Sequence, residues 1–284
     1  MNIVGWILIV VFAVAGVVTV SFYAIRALHR WRHPADYQTN DTQTSVAPLR
    51  GVLAIIAEWA ALAMLILSWP LRLIHDLAPV RRRDPESTPV ILVHGYGANS
   101  ACFLWLQYRL KRLGFRDVYA ISYTPPTINM RTLARQVAAH IERIRNATGA
   151  QQVHVVGHSM GGPLIRLALQ DENLWGKIGR VITLGSPHAG SWLGDLTRLP
   201  GAARQMRYRS AFLAKIETTD TGADSPLYYS IWSAFDNFVL PPTSSLLPAP
   251  ATNIHVPALG HCSLLFSPRV IRLIAQALTG KLDS

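Results

Sequence analysis

The sequence predicts an α/β chain, with a mostly parallel sheet of about six strands flanked by helices and preceded by one or two N-terminal membrane helices. Three observations predict it. Two long apolar runs occupy the first 80 residues, and short β-branched runs alternate with amphipathic stretches from residue 89 onward. One glycine-rich corner, 157–161, then joins a strand pattern to a helix pattern. With 284 residues the chain can hold one large domain or two small ones. Half of it is apolar and 15% charged, which is drier than an ordinary soluble domain.

The first run, Ile3 to Ile25, carries no charge. At about 1.5 Å per residue a helix of this length crosses a hydrocarbon layer of roughly 30 Å. No Lys or Arg precedes it, and Arg26, Arg30 and Arg32 follow where a cleavage motif would stand. It therefore reads as an uncleaved anchor and not as a signal peptide. The second run, Gly51 to Leu71, holds the single carboxylate Glu58. It is read as a second span with Glu58 near the water side and Trp59 and Trp69 at the interfaces. An amphipathic helix lying on the membrane, or covering the domain, is the other reading. The polar stretch 26–50 connects the two runs.

The formal charge is +11, and arginines flank the apolar runs, where anionic lipid head groups are natural partners. No basic stripe interleaved with aromatics occurs in the later chain, so nucleic acid is not an expected partner. Cys102 and Cys262 are too few for a zinc framework, and two buried thiols are expected. No metal-ligand cluster stands out among the ten histidines.

The composition shifts at "RRRDPESTP", residues 81–89, which divides an N-terminal membrane-anchoring region, 1–80, from an α/β domain, 81–284. After it, "PVILVHG", "DVYAISY", "QVHVVGHS", "RVITLGSP", "LYYSIWS" and "TNIHVPAL" read as strands. Unbroken runs such as Val90 to Val93 suit strands buried on both faces of a parallel sheet. Helices are predicted over 101–113, 131–147, 162–170 and 269–278. In 131–147, Leu133, Val137, Ile141 and Ile144 fall on one face. This alternation implies right-handed βαβ units with helices on both faces. The stretch 188–226 carries only weak helical signals and reads as a cap-like insertion above the sheet. Its apolar residues Trp192, Leu193, Leu196, Phe212 and Leu213 suit an apolar substrate.

Gly157-His158-Ser159-Met160-Gly161 is a G-x-S-x-G between strand and helix, the context of a nucleophile elbow. The tight turn strains the serine backbone, and a Cβ at either flanking position would strike a neighbouring strand or helix. Such a serine needs a base and an orienting acid from loops after later strands, in the order Ser, acid, His. Asp236 follows the fifth strand pattern and His261 the sixth, so these two are assigned. Asp220 and Asp224 have no strand before them, and His255 lies within a strand. His188 is placed near the acyl pocket, and His94 and His158 are read as structural. The turn "HGYGANS" after the first strand can aim the Tyr96 N–H at the same point as the Met160 N–H, giving two donors for an oxyanion.

Taken together, "VHGYG", "GHSMGG", "GSPHAGS", "SAFDNFV" and "GHCSLLFSPRV" resemble the α/β-hydrolase superfamily, and in particular the small bacterial triacylglycerol lipases and esterases. The resemblance covers about 89–280. It implies Ser159 as nucleophile, Asp236 as acid, His261 as base, Tyr96 and Met160 as oxyanion donors, an ester or lipid substrate, and no cofactor. The same triad also serves acyltransferases and thioesterases, and a non-catalytic membrane interaction protein could keep the fold. Arg26, Arg30, Arg32 and Arg50 place loop 26–50 in the cytoplasm, so the expected location is a bacterial inner membrane with the catalytic domain outside. Arg72 and Arg81 to Arg83 argue the other way.

Overall fold

A computed structural model describes residues 2–37, 46–82, 84–125, 127–197, 199–216 and 225–283. Asp220 and Asp224, with the rest of 217–224 in the 188–226 insertion, lie outside the described residues.

Two long helices open the chain, α1 (Ile3–Arg32) and α2 (Pro48–Ser68), followed by the short α3 (Arg72–His75). Then come β1 (Val90–Val93), α4 (Leu104–Arg112), β2 (Val118–Ile121), α5 (Met130–Thr148), β3 (Val153–His158) and α6 (Gly161–Ala168). The remaining elements are β4 (Ile178–Leu184), α7 (Leu193–Leu196), α8 (Ala202–Gln205), α9 (Ala211–Ala214), β5 (Leu227–Trp232), β6 (Thr252–His255) and α10 (Pro268–Leu278). The six strands form one sheet in the order β2-β1-β3-β4-β5-β6, every pair parallel.

Alternation along the strands explains why they read as continuous apolar runs. Ile91, Val93, Val153, Val155 and Val181 pack with α5 and α6 on one face. Val90, Leu92, Val156, Ile182 and Leu184 pack with α4 and α10 on the other. Both faces of the sheet are therefore core, as a parallel sheet requires. Helix α5 buries Leu133, Val137, Ile141 and Ile144 on its sheet side. Each such side chain contributes about 2 kcal/mol through burial. The Asn129 side chain caps the α5 N-terminus through Thr132 N, and Gly149, at φ +63°, ends it in the left-handed conformation. At α10, Pro268 stands in the first turn after the capping Ser267.

The N-terminal helices differ from their sequence reading in extent and in place. Helix α1 continues past Ile25 to Arg32, and its last turns pack on the loop after β5 and on Trp192. Phe22 stacks on Phe238 at 4.2 Å between ring centroids, Tyr23 meets Phe235 at 5.1 Å and His29 meets Trp192 at 5.0 Å. Arg26 is buried and donates to the Ala234 carbonyl at 2.6 Å. It is thus spent inside the molecule, which removes it from the arginines used to orient the chain. Helix α2 starts at Pro48 and reaches Ser68, where the chain continues through a 3-10 turn, Trp69–Leu71, into α3. Glu58, expected near water, is fully buried against the loop that follows β6. Trp59 packs edge-on against Phe12 and donates to its carbonyl at 2.7 Å, which holds α1 against α2. Both helices are long and apolar enough to cross a membrane.

The described part of the 188–226 insertion is tied down rather than free. Ala202 N donates to Ile128 O, Met130 N donates to Gln205 Oε1, and Leu213 and Ile216 join the core on the α5 side.

Candidate active site

Because all six strands are parallel, the loops after their C-terminal ends emerge together, the place where sheets of this kind hold their sites. Ser159 directly follows β3 and has φ +55°, a left-handed conformation that costs a non-glycine residue about 1–2 kcal/mol. The surrounding packing enforces it. Ser159 N donates to Leu184 O on β4 at 3.0 Å, and Gly162 N returns to Ser159 O at 3.1 Å. A Cβ at Gly161 would lie 2.2 Å from Val93 O, and one at Gly157 would lie 2.7 Å from Gly162 N. Gly95 also presses on the elbow, since its Cβ would fall 2.7 Å from the Cβ of Ser159.

His261 and Asp236 come from the loops after β6 and β5, and both are buried. His261 Nδ1 donates to Asp236 Oδ2 at 2.9 Å. The other carboxylate oxygen, Oδ1, accepts from Phe238 N at 2.8 Å and Val239 N at 2.9 Å, which fixes the acid. The His261 ring lies on Phe238 at 4.9 Å, and its backbone N–H donates to Asn237 Oδ1 at 3.1 Å. Burial pulls the His261 pKa down, but Asp236, by charge and hydrogen bond, and then Glu58 push it up, leaving it above the ordinary value. With its proton on Nδ1, the imidazole keeps a lone pair on Nε2.

Ser159, His261 and the β1 loop line one cavity of about 290 Å³. Gly95, Tyr96 and Gly97 form one side of it. Tyr96 is 38% exposed, while the Met160 side chain is wholly in the core and its backbone sits at the N-terminus of α6. The apolar wall is Leu62, Leu65, Ile66 and Trp69, joined by Phe238 and Leu265. The sequence pointed instead to the insertion for this wall, yet none of its described residues lines the cavity. Cys102 and Cys262 also line it, as free and buried thiols. A larger cavity of about 440 Å³ lies at the β2 edge among Arg81, Lys111, Arg116 and Arg143 and shares none of these residues.

Three further histidines, His158, His94 and His188, make local contacts. His158 Nε2 donates to the His261 carbonyl at 3.1 Å, and burial, then the His261 charge, hold its pKa well below normal. His94 stacks on Tyr123 at 4.1 Å, and burial lowers its pKa to about 4. His188, placed by sequence near the acyl pocket, lies away from it, with Nε2 3.1 Å from Thr183 Oγ1 and Nδ1 3.5 Å from Arg166. Sequence reasoning missed Gly185, where a Cβ would lie 2.8 Å from Asp236 Oδ2, and Asn237, although both stand within the motifs it quoted.

Residues 88–224 match the family described as the alpha/beta hydrolase fold. The fold is that of the α/β hydrolases. A triacylglycerol lipase of Vibrio cholerae is 33% identical over 115 residues, which is 39% of this chain. The chain spans 36% of that relative's length. Among solved structures, mature Bacillus licheniformis lipase BlEst2 superposes with a TM-score of 0.60 at 23% identity, covering 71% of this chain and 96% of the other. Aspergillus fumigatus lipase B superposes with a TM-score of 0.57 at 20% identity, over 68% of this chain and 52% of the other.

Proposed function

We propose that the protein is a membrane-bound serine hydrolase that cleaves carboxylic esters of apolar acyl groups. The observation that carries this reading is the 2.9 Å hydrogen bond between the buried Asp236 and His261, the latter lining the same cavity as a serine held in a left-handed turn. In this mechanism Ser159 Oγ attacks the ester carbonyl carbon while its proton passes to His261 Nε2. The N–H groups of Tyr96 and Met160 receive the carbonyl oxygen as it becomes an oxyanion, a contact typically worth about 3 kcal/mol per donor. Collapse breaks the ester C–O bond, and His261 returns its proton to the departing alkoxide. Water then attacks the acyl-enzyme with His261 again as base, releasing the acid and restoring Ser159.

The apolar wall from α2 supports an acyl substrate, as does the likeness to a triacylglycerol lipase. A fluorophosphonate probe is expected to label the detergent-solubilised wild type and to leave His261→Ala unlabelled. A panel of p-nitrophenyl esters is then expected to show turnover that depends on acyl length. A folded wild type that takes up no probe would end the hydrolase reading.

The catalytic domain is 81–284, and the outward faces of α1 and α2 are its membrane contact. Ile3, Val4, Val17 and Val20 of α1 and Val52, Leu53 and Ile56 of α2 are exposed apolar side chains. Alkaline carbonate is expected to leave the protein in the membrane pellet and detergent to release it. Recovery in the carbonate supernatant would remove the membrane assignment.

A further inference from the structure

Glu58 is a fully buried carboxylate in the middle of an apolar helix. Its two oxygens accept from consecutive backbone N–H groups, Oε1 from Cys262 and Oε2 from Ser263, each at 2.8 Å. Those are the two residues after His261. The preceding residue, Gly260, closes the cradle, since a Cβ there would lie 2.5 Å from Glu58 Oε2. Helix–helix packing alone gives no reason for an acid at this position. Desolvating a carboxylate costs several kcal/mol, and apolar residues of similar volume usually stabilise as well or better. A bidentate grip on 262–263, by contrast, fixes the backbone that carries the His261 ring.

We propose that Glu58 is a positioning residue for His261, so that helix α2, besides walling the cavity, holds the catalytic histidine in place. This rests on the triad reading above. Through Glu58, a loop 204 residues away in sequence is fastened to the N-terminal hairpin. The titratable groups around the His261 ring are Asp236 after β5, His158 at the end of β3 and Glu58 on α2, while Tyr23 and Arg26 on α1 face Asp236, and Cys262 faces Glu58 and Asp236. As the carboxylate, the form whose two oxygens both accept backbone N–H bonds, Glu58 favours the imidazolium.

The test compares Glu58→Gln and Glu58→Asp in the full-length, detergent-solubilised protein with p-nitrophenyl esters. Glutamine fits the space, but its amide N–H₂ opposes one of the two backbone N–H donors. A displacement of about 1 Å in a reacting group lowers turnover by as much as about a hundredfold. Glu58→Gln is accordingly expected to lower kcat by about ten- to a hundredfold, with KM within about twofold. Removing the charge lowers the His261 pKa. The base works only when neutral, so the acid limb of the kcat/KM profile should move to lower pH. Glu58→Asp keeps the charge and should leave that limb in place. A folded Glu58→Gln with wild-type kcat and an unmoved limb overturns the proposal. So does a Glu58→Gln that shows no cooperative melting, because the carboxylate would then be a requirement of folding rather than of positioning. Failure of the triad reading itself would look different, since the wild type would then take up no fluorophosphonate.

Discussion

Ser159→Ala is expected to abolish fluorophosphonate labelling and to reduce ester hydrolysis by at least about 10³-fold, approaching 10⁶-fold if the elbow works as a full nucleophile site. The oxyanion donors and the cavity survive this change, so a small residue of catalysis over water remains. The substitution is expected to leave stability nearly unchanged, because alanine inherits the strain at φ +55°. Ser159→Gly is the informative companion. Glycine adopts that conformation freely, so Ser159→Gly should be equally inactive yet more stable than Ser159→Ala by about 1 kcal/mol. Initial rates and thermal melts of the two variants decide this. Activity of Ser159→Ala within tenfold of wild type would remove the serine from the chemistry.

The second large effect is expected at Asp236. Its Oδ1 accepts the backbone N–H groups of Phe238 and Val239, and an asparagine side-chain oxygen can keep both bonds. The loop should therefore hold its shape in Asp236→Asn. What changes is the group facing His261, where an amide N–H₂ replaces Oδ2. Two donors cannot share that bond, so the imidazole shifts its proton to Nε2, the nitrogen that must accept from Ser159. Turnover should fall by about 10⁴-fold. The negative charge that raises the His261 pKa also disappears, so any residual activity should persist to lower pH than in the wild type. A kcat for Asp236→Asn within tenfold of wild type would assign the orienting role elsewhere.

Much of the sheet was legible because burial on both faces leaves an unmistakable mark, as at Val90 to Val93. Ser159 was legible because its flanking glycines answer to close backbone approaches, Gly161 to Val93 O above all. The candidates Asp236 and His261 were chosen because the elbow pattern calls for an acid and then a histidine after later strands, and parallel strands deliver those loops to one end. A helix covering the domain was one reading of the second apolar run, and the choice between it and a span was hidden for a physical reason. A helix that meets lipid on one side, as proposed, and a protein core on the other is apolar all round, so periodicity cannot tell its two faces apart. Glu58 was the one signal that could have done so, as a carboxylate within such a run needs a partner. The short helices α7, α8 and α9, four residues each, are too brief to carry a periodic pattern.

The wall that Leu62, Leu65 and Ile66 give the cavity has a kinetic meaning for the proposed enzyme. A site bounded by a helix whose other face rests in lipid draws its acyl substrate from two dimensions rather than three. The variable that saturates such an enzyme is the mole fraction of substrate in the surface, not its molarity in the surrounding water. Diluting the substrate with inert detergent or lipid at constant bulk concentration should then slow hydrolysis as effectively as removing it.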